Sequence, residues 1–260
     1  MHLDVIDLNG FYSSGLGQFA QLAIAARVRD MWGDLKTERV LGLGYAPPIF
    51  DRMGGAVRQR AVALCPAPQG VKGWPVAGPR RVALTDEVFL PLEDASVDRI
   101  LIVHGLEMNE HVRPMLDEVW RVLSASGRVI VVVPNRRGLW ARFETTPFGH
   151  GRPFTQPQLY GLMRQAQFQP ERAAHCLFVP PVRWAPLINA ATGWERIGRR
   201  FWPSFSGVLM VEASKQVYAH AGRVREPKRA RRLIPILPEP ARAPGVAGLS
   251  REQEDRLISD

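Results

Sequence analysis

Cysteine is nearly absent: Cys65 and Cys176 are the two in 260 residues. They form no metal-ligand spacing and no disulfide framework, so the chain reads as a protein of a reducing compartment, the cytoplasm. Also missing is any run of eighteen apolar residues, and the N-terminus "MHLDVIDLNGFYSS" has no basic stretch followed by an apolar one. Neither a membrane span nor a secretory leader is expected. No internal repeat occurs. Aromatic residues are lacking where the positive charge is densest, in "GRVREPKRARR", which carries six basic side chains in eleven residues. That stretch has the charge to attract nucleic acid or an anionic surface, yet nothing between its charges could stack a base. A solvated tail is the preferred reading, with nucleic acid as the weaker alternative partner.

Charge is otherwise moderate. The net +9 divides into +3 from Gly222 onward, where 9 basic face 6 acidic residues, and +6 in the body. With 46% apolar residues, the body can bury one substantial core. Two regions are expected: a domain over residues 1–221 and a basic, Pro- and Arg-rich tail over 222–260 that is mostly disordered.

Apolar spacing over "SSGLGQFAQLAIAARVRDMW" predicts an amphipathic helix near 15–33. Strands are expected at 39–43, near 61–64, in "PRRVALTD" ending at Thr85, in "VDRILIVHG" and in "GRVIVVVPN". The last two show no polar alternation, as strands do when both sheet faces are covered. "HVRPMLDEVWRVLSASG" predicts a helix with Pro114 in its first turn and Gly127 beyond its end. After Pro134 come a long covering loop, a helix in "QPQLYGLMRQAQF", a strand in "RAAHCLFVPP", a helix around 183–200 and a final strand near 207–217. Strands alternating with helices predict an α/β fold with a mostly parallel sheet of about seven strands, helices on both faces and an antiparallel last strand.

Three segments then carry a family likeness in register: "DEVFLPLEDASVD", "DRILIVHGLE" and "LDEVWRVLSASGRVIVVVPN". Together they resemble the class I S-adenosylmethionine-dependent methyltransferases, especially the small-molecule group called type 11. The resemblance implies a Rossmann-like sheet, S-adenosylmethionine as cofactor and a small-molecule substrate. Its first-strand motif, an acid followed by alternate glycines, falls here on Gly42, Gly44, Ala46 and Pro48, so a single loop glycine is kept. Backbone must approach the cofactor there, where a Cβ would collide. Pro48 fixes φ and removes a donor. At the end of the second strand the family's ribose carboxylate is replaced by Cys65 and Pro66, and a thiol cannot supply that charge-assisted pair.

The resemblance assigns Gly42, Gly44, Ala46, Asp86, Glu87 and His104 to the cofactor site. Asp86 stands at the adenine end, and His104 at the lip of the fourth strand, as a base or a pocket wall. Its alternative is a buried, hydrogen-bonded histidine. Glu107 and Glu110 read as turn residues rather than a catalytic pair, and Ser13 or Ser14 as a helix cap in a segment that could instead fold over the cleft. "TTPFGHGRPFT" offers His150, Arg152 and Phe154 to a substrate pocket. Cys65–Pro66 follows the second strand, not the fourth, so it does not match the nucleophile of cytosine-5 methyltransferases. The Asn/Asp-Pro-Pro-aromatic signature of amino-methylating enzymes is absent as well. No catalytic residue and no metal ligand is assigned, since such enzymes work mainly by holding the methyl in line with a nucleophile.

The leading expectation is a methyltransferase acting on a small molecule. A methyltransferase-like binding or regulatory protein without catalysis is the alternative, supported by the altered loop. A nicotinamide-dependent reductase is the weakest, because Pro47 stands where Gly-x-Gly-x-x-Gly needs its last glycine. Substrate, acceptor atom and oligomeric state are not written in the sequence.

Overall fold

The structure is a computed structural model that describes residues 3–182 and 205–216, with Gly193, Glu195, Gly198 and Arg200 between them. The expected tail and most of the expected helix around 183–200 lie outside the described residues. A compact unit runs from Met1 to Val217.

Seven strands form one sheet in the order β3-β2-β1-β4-β5-β7-β6. They are β1 (Val40–Gly44), β2 (Val62–Pro66), β3 (Val82–Thr85), β4 (Val97–Val103), β5 (Leu123–Pro134), β6 (Phe168–Cys176) and β7 (Val208–Lys215). The first five pair in parallel, and β7 runs antiparallel to both β5 and β6. Their sequence pattern explains the layering. Leu101 and Val103 of β4 face a core built with the N-terminal helices, whereas Ile100 and Ile102 face a second core on the other side. Both faces being covered, the strand has no polar alternation.

On the first face lie α1 (Val5–Ser13), α2 (Gly15–Trp32) and the short α3 (Pro47–Met53) and α4 (Gly55–Arg60); on the second lie α5 (Val112–Val122) and α6 (Gln156–Gln165). The side chain of Ser14 caps α2, accepting from the Gly17 amide at 3.1 Å.

Three local expectations need correction. The stretch after β1 is not an open loop: Pro47 and Pro48 occupy the first turn of α3, where a missing N–H costs nothing. Helix α5 stops at Val122 and β5 starts at Leu123. Gly127 lies inside that strand, where a Cβ would come 2.6 Å from Leu123 Cγ. The segment Val5–Ser13, not assigned to an element from sequence, forms α1.

Between β3 and β4 the chain has no helix. It is instead docked onto α5: Glu118 accepts from the Leu90 amide at 2.9 Å. Arg121 donates to the Leu90 and Leu92 carbonyls at 3.0 and 2.9 Å and pairs with Asp94 at 2.6 Å. The Arg39 guanidinium holds Asp98 through two bonds, at 2.9 and 3.0 Å, and its amide adds a third at 3.0 Å, where β1 and β4 begin.

Candidate functional site

The carboxyl ends of β1, β2, β3 and β4 form one lip, the place where open α/β sheets hold ligands. At the end of β1, Gly44 takes φ +84°, and a Cβ on it would lie 2.2 Å from the Val103 carbonyl oxygen. The glycine is therefore required by the close approach of β4, independently of any ligand. Gly42 is likewise explained by packing: a Cβ there would meet Ala46 Cβ at 2.5 Å and Phe50 Cε2 at 2.7 Å. Helix α3 uses the missing side chain to sit directly on β1. Ala46 is fully buried in the same contact.

At the end of β2, Cys65 is 1% exposed, and burial pushes its thiol up to about 12. It is a neutral group at physiological pH. At the end of β3, Asp86 is exposed and its carboxylate accepts from the Val88 amide at 3.1 Å. Glu87 is buried and accepts from Asn109 Nδ2 at 2.8 Å; burial raises its carboxyl to about 7, with Asp86 and Glu107 adding like charge.

At the end of β4, His104 is buried, with a φ of +51°. Its Nε2 lies 2.7 Å from Tyr12 Oη and its Nδ1 3.1 Å from Glu107 Oε1. Tyr12 stacks on Tyr45 at 5.7 Å between centroids, and Phe148 packs on the imidazole at 4.7 Å. The N-terminal segment thus serves as both cap and cover: Ser14 starts α2 while Tyr12 reaches into the lip.

Two cavities open here. The larger, about 660 Å³, is bordered by Thr85, Asp86, Glu87, Asn109 and His111. The smaller, about 180 Å³, lies between Tyr12, Tyr45, Pro47, Cys65 and Trp74. Of the sequence-assigned residues, Asp86 and Glu87 border the larger cavity. Gly42, Gly44, Ala46 and His104 border neither; they are enclosed by protein atoms. Sequence reasoning passed over Tyr12 as a site residue and read Glu107 as a turn residue. Glu107 does lie in the turn after β4, and its side chain is fully buried against His104. The signal available for Tyr12 was an aromatic pair ahead of a helix; for Glu107 there was none, because the contact depends on how the chain turns after β4.

The expected pocket loop meets the lip through Phe148, which packs on His104, and through the Arg152 amide, which donates to the Glu107 carbonyl at 2.8 Å. His150 bonds the Glu144 carbonyl at 2.7 Å, and Arg152 lies over the Phe154 ring. Among the described residues no group of three His, Cys, Asp or Glu side chains could hold a metal ion, and no helix is long and apolar enough to cross a membrane.

A family model described as "Methyltransferase domain" matches residues 42–131, from the first strand into β5. The chain carries a methyltransferase-domain match over that segment and has the Rossmann-like sheet of the methyltransferase fold. Among solved structures, this chain resembles a Thermotoga maritima S-adenosylmethionine-dependent methyltransferase, a possible histamine N-methyltransferase. The two are 18% identical with a TM-score of 0.57, over 82% of this chain and 96% of that one. It also resembles a putative Haloferax volcanii methyltransferase solved with the Trm112 activator, at 14% identity and TM-score 0.58 over 84% and 100% of the two chains. A third, from Archaeoglobus fulgidus, is 17% identical with TM-score 0.50 over 74% and 93%. These matches establish a shared fold. No curated protein sequence matches this chain.

Proposed function

We propose that the protein is a methyltransferase that uses S-adenosylmethionine and acts on a small molecule. One observation carries the reading: the methyltransferase-domain match ends its strands at a lip that opens into a cavity of about 660 Å³ beside Asp86 and Glu87. That volume lies within the range of small-molecule and cofactor sites, about 300–1,000 Å³. The residues present suit the adenosine end. Asp86 is an exposed acceptor for an exocyclic amine, and Glu87 beside it is buried and polar. When bound, the cofactor would supply an electrophilic methyl group. The protein's own residues would bind, orient and exclude water.

The ribose end suits it less, since neutral Cys65 stands where the family places a carboxylate. A carboxylate acceptor is worth about 1.5–3 kcal/mol, against about 0.5–1.5 for a neutral partner. The difference weakens binding by roughly tenfold. Calorimetry with S-adenosylmethionine and S-adenosylhomocysteine is the direct test, and absence of heat with either would remove the reading. Cys65→Asp is expected to tighten binding about tenfold. Because position 65 is buried, the same substitution should lower the melting temperature of the free protein, and ligand should restore it. The alternative, a methyltransferase-like binding protein, gains support if neither form binds while both stay folded.

A further inference from the structure

The smaller cavity has a polar side. Of the described residues that border it, Asp51 alone carries a carboxylate, and Cys65 borders the same space. On the proposed reading Cys65 stands at the ribose end of the cofactor, in place of an acidic residue. A carboxylate is therefore missing from the end of β2 and present on α3.

The contacts of Asp51 decide what it can do. Its Oδ1 accepts from Trp74 Nε1 at 3.1 Å and lies 3.2 Å from Arg58 Nε. Its Oδ2 makes no hydrogen bond among the described residues, and the side chain is 39% exposed. Trp74 is itself fixed: it is buried against Phe50, and its carbonyl accepts from the Arg81 amide at 2.8 Å. One carboxylate oxygen is thus held by a rigid donor, and the other is left open. A group positioned in advance loses little freedom when it takes a ligand.

The other polar side chains around the cavity are engaged with protein partners. Gln21 donates to the Tyr12 carbonyl at 2.6 Å and accepts from Arg52 at 3.1 Å. The Lys72 ammonium donates to Asn9 Oδ1 at 2.7 Å, and the Ser13 hydroxyl to the Asn9 carbonyl at 2.7 Å. The Tyr12 hydroxyl lies 2.7 Å from His104 Nε2. A hydroxyl donor entering this cavity finds its strongest open acceptor at Asp51, because a charged acceptor outweighs a neutral one.

We propose that Asp51 is a cofactor-binding residue that accepts a hydrogen bond from one ribose hydroxyl, a role moved from the end of β2 to α3. The inference rests on the reading of the lip as an S-adenosylmethionine site.

Asp51 differs in one respect from a carboxylate at position 65. A carboxylate with both oxygens free can take both hydroxyls of a ribose, whereas Asp51 has one oxygen to offer. Binding through Asp51 therefore distinguishes between the hydroxyls, and Cys65→Asp still has one left to gain. The altered first loop acquires a use as well. Pro47 and Pro48 start the helix that carries Asp51, and Gly42 lets that helix sit on β1.

The test is calorimetry with S-adenosylhomocysteine, alone and in competition with nucleosides. The wild type should bind adenosine about tenfold more tightly than one of the pair 2′-deoxyadenosine and 3′-deoxyadenosine. In Asp51→Asn, Trp74 Nε1 keeps the amide oxygen as its acceptor, so an NH2 group that cannot accept takes the place of Oδ2. That variant should bind S-adenosylhomocysteine about tenfold more weakly and treat the three nucleosides alike. Its melting temperature should not change, because the replaced ion pair with Arg58 is solvent-exposed. A wild type that does not separate the nucleosides, or an Asp51→Asn protein that separates them as the wild type does, overturns the role of Asp51. If S-adenosylhomocysteine binds the wild type in either case, the proposed function stands and the assignment of Asp51 alone is lost. If the wild type binds neither S-adenosylhomocysteine nor S-adenosylmethionine, the proposed function falls and the inference with it.

Discussion

Gly44 shows how one residue can look like a ligand contact and be a packing contact. Its φ of +84° and the Val103 carbonyl, 2.2 Å from where a Cβ would stand, both demand glycine. Gly44→Ala should therefore cost about 1–3 kcal/mol from backbone strain alone, with the collision in addition. Urea denaturation measures it, and an unchanged midpoint would mean that β1 and β4 can part at no cost. Glu87 makes a second residue-scale prediction. Its carboxyl rises from 4.5 when unfolded to about 7 in the fold, so the folded state binds the proton more tightly. Its contribution to stability is then fully present below pH 4.5 and is lost as the pH climbs through about 7. At about 1.4 kcal/mol per unit the loss is on the order of 3 kcal/mol at most. Melting temperatures across that window should fall in the wild type and stay flatter in Glu87→Gln.

Among the elements, the segment between β3 and β4 stands out because it is ordered by side chains on a neighbouring helix and has no helix of its own. Glu118 and Arg121 of α5 hold the Leu90 amide and the Leu90 and Leu92 carbonyls. Arg121 in turn depresses the Glu118 carboxyl. Glu118→Ala should cost about 1.5–3 kcal/mol, the worth of hydrogen bonds to a charged group, discounted toward the low end because Arg121 is part-exposed. Amides from Glu87 to Leu92 should exchange faster in that variant. Unchanged exchange there would place the anchoring elsewhere. The same contacts explain why three weak sequence segments hold their register: "FLPLED" and "EVWR" are two sides of one joint.

At the scale of the molecule, burial is graded across the sheet. β4 and β5 lie centrally with Ile100 to Val103 and Val129 to Val133 essentially inaccessible, while β3 is an edge strand with Leu84 49% exposed and Phe89 beyond it 74% exposed. Native-state hydrogen exchange should accordingly be slowest in β4 and β5 and fastest in β3. Protection of β3 equal to that of β4 would show that another chain covers the edge in solution.

The sequence by itself determined the class of fold. Period and composition suffice for that, because a strand buried on both faces must be apolar throughout, as Ile100 to Val103 are, and a helix must show its core face at regular spacing. It also located the altered lip, since Pro47, Pro48 and Cys65 are visible without coordinates. What Pro47 and Pro48 do was decided by tertiary structure. The same two residues that would obstruct a loop are favourable in a first helical turn, and Gly42 makes room for Ala46 and Phe50 of that helix. Tertiary structure alone also united Tyr12, His104 and Glu107. Ninety-two residues separate Tyr12 from His104, and no local pattern encodes a contact created by α1 folding across the tips of β1 and β4. Local propensity and hydrophobic period are written along the chain, whereas hydrogen bonds between distant side chains exist only after the core has brought their elements together.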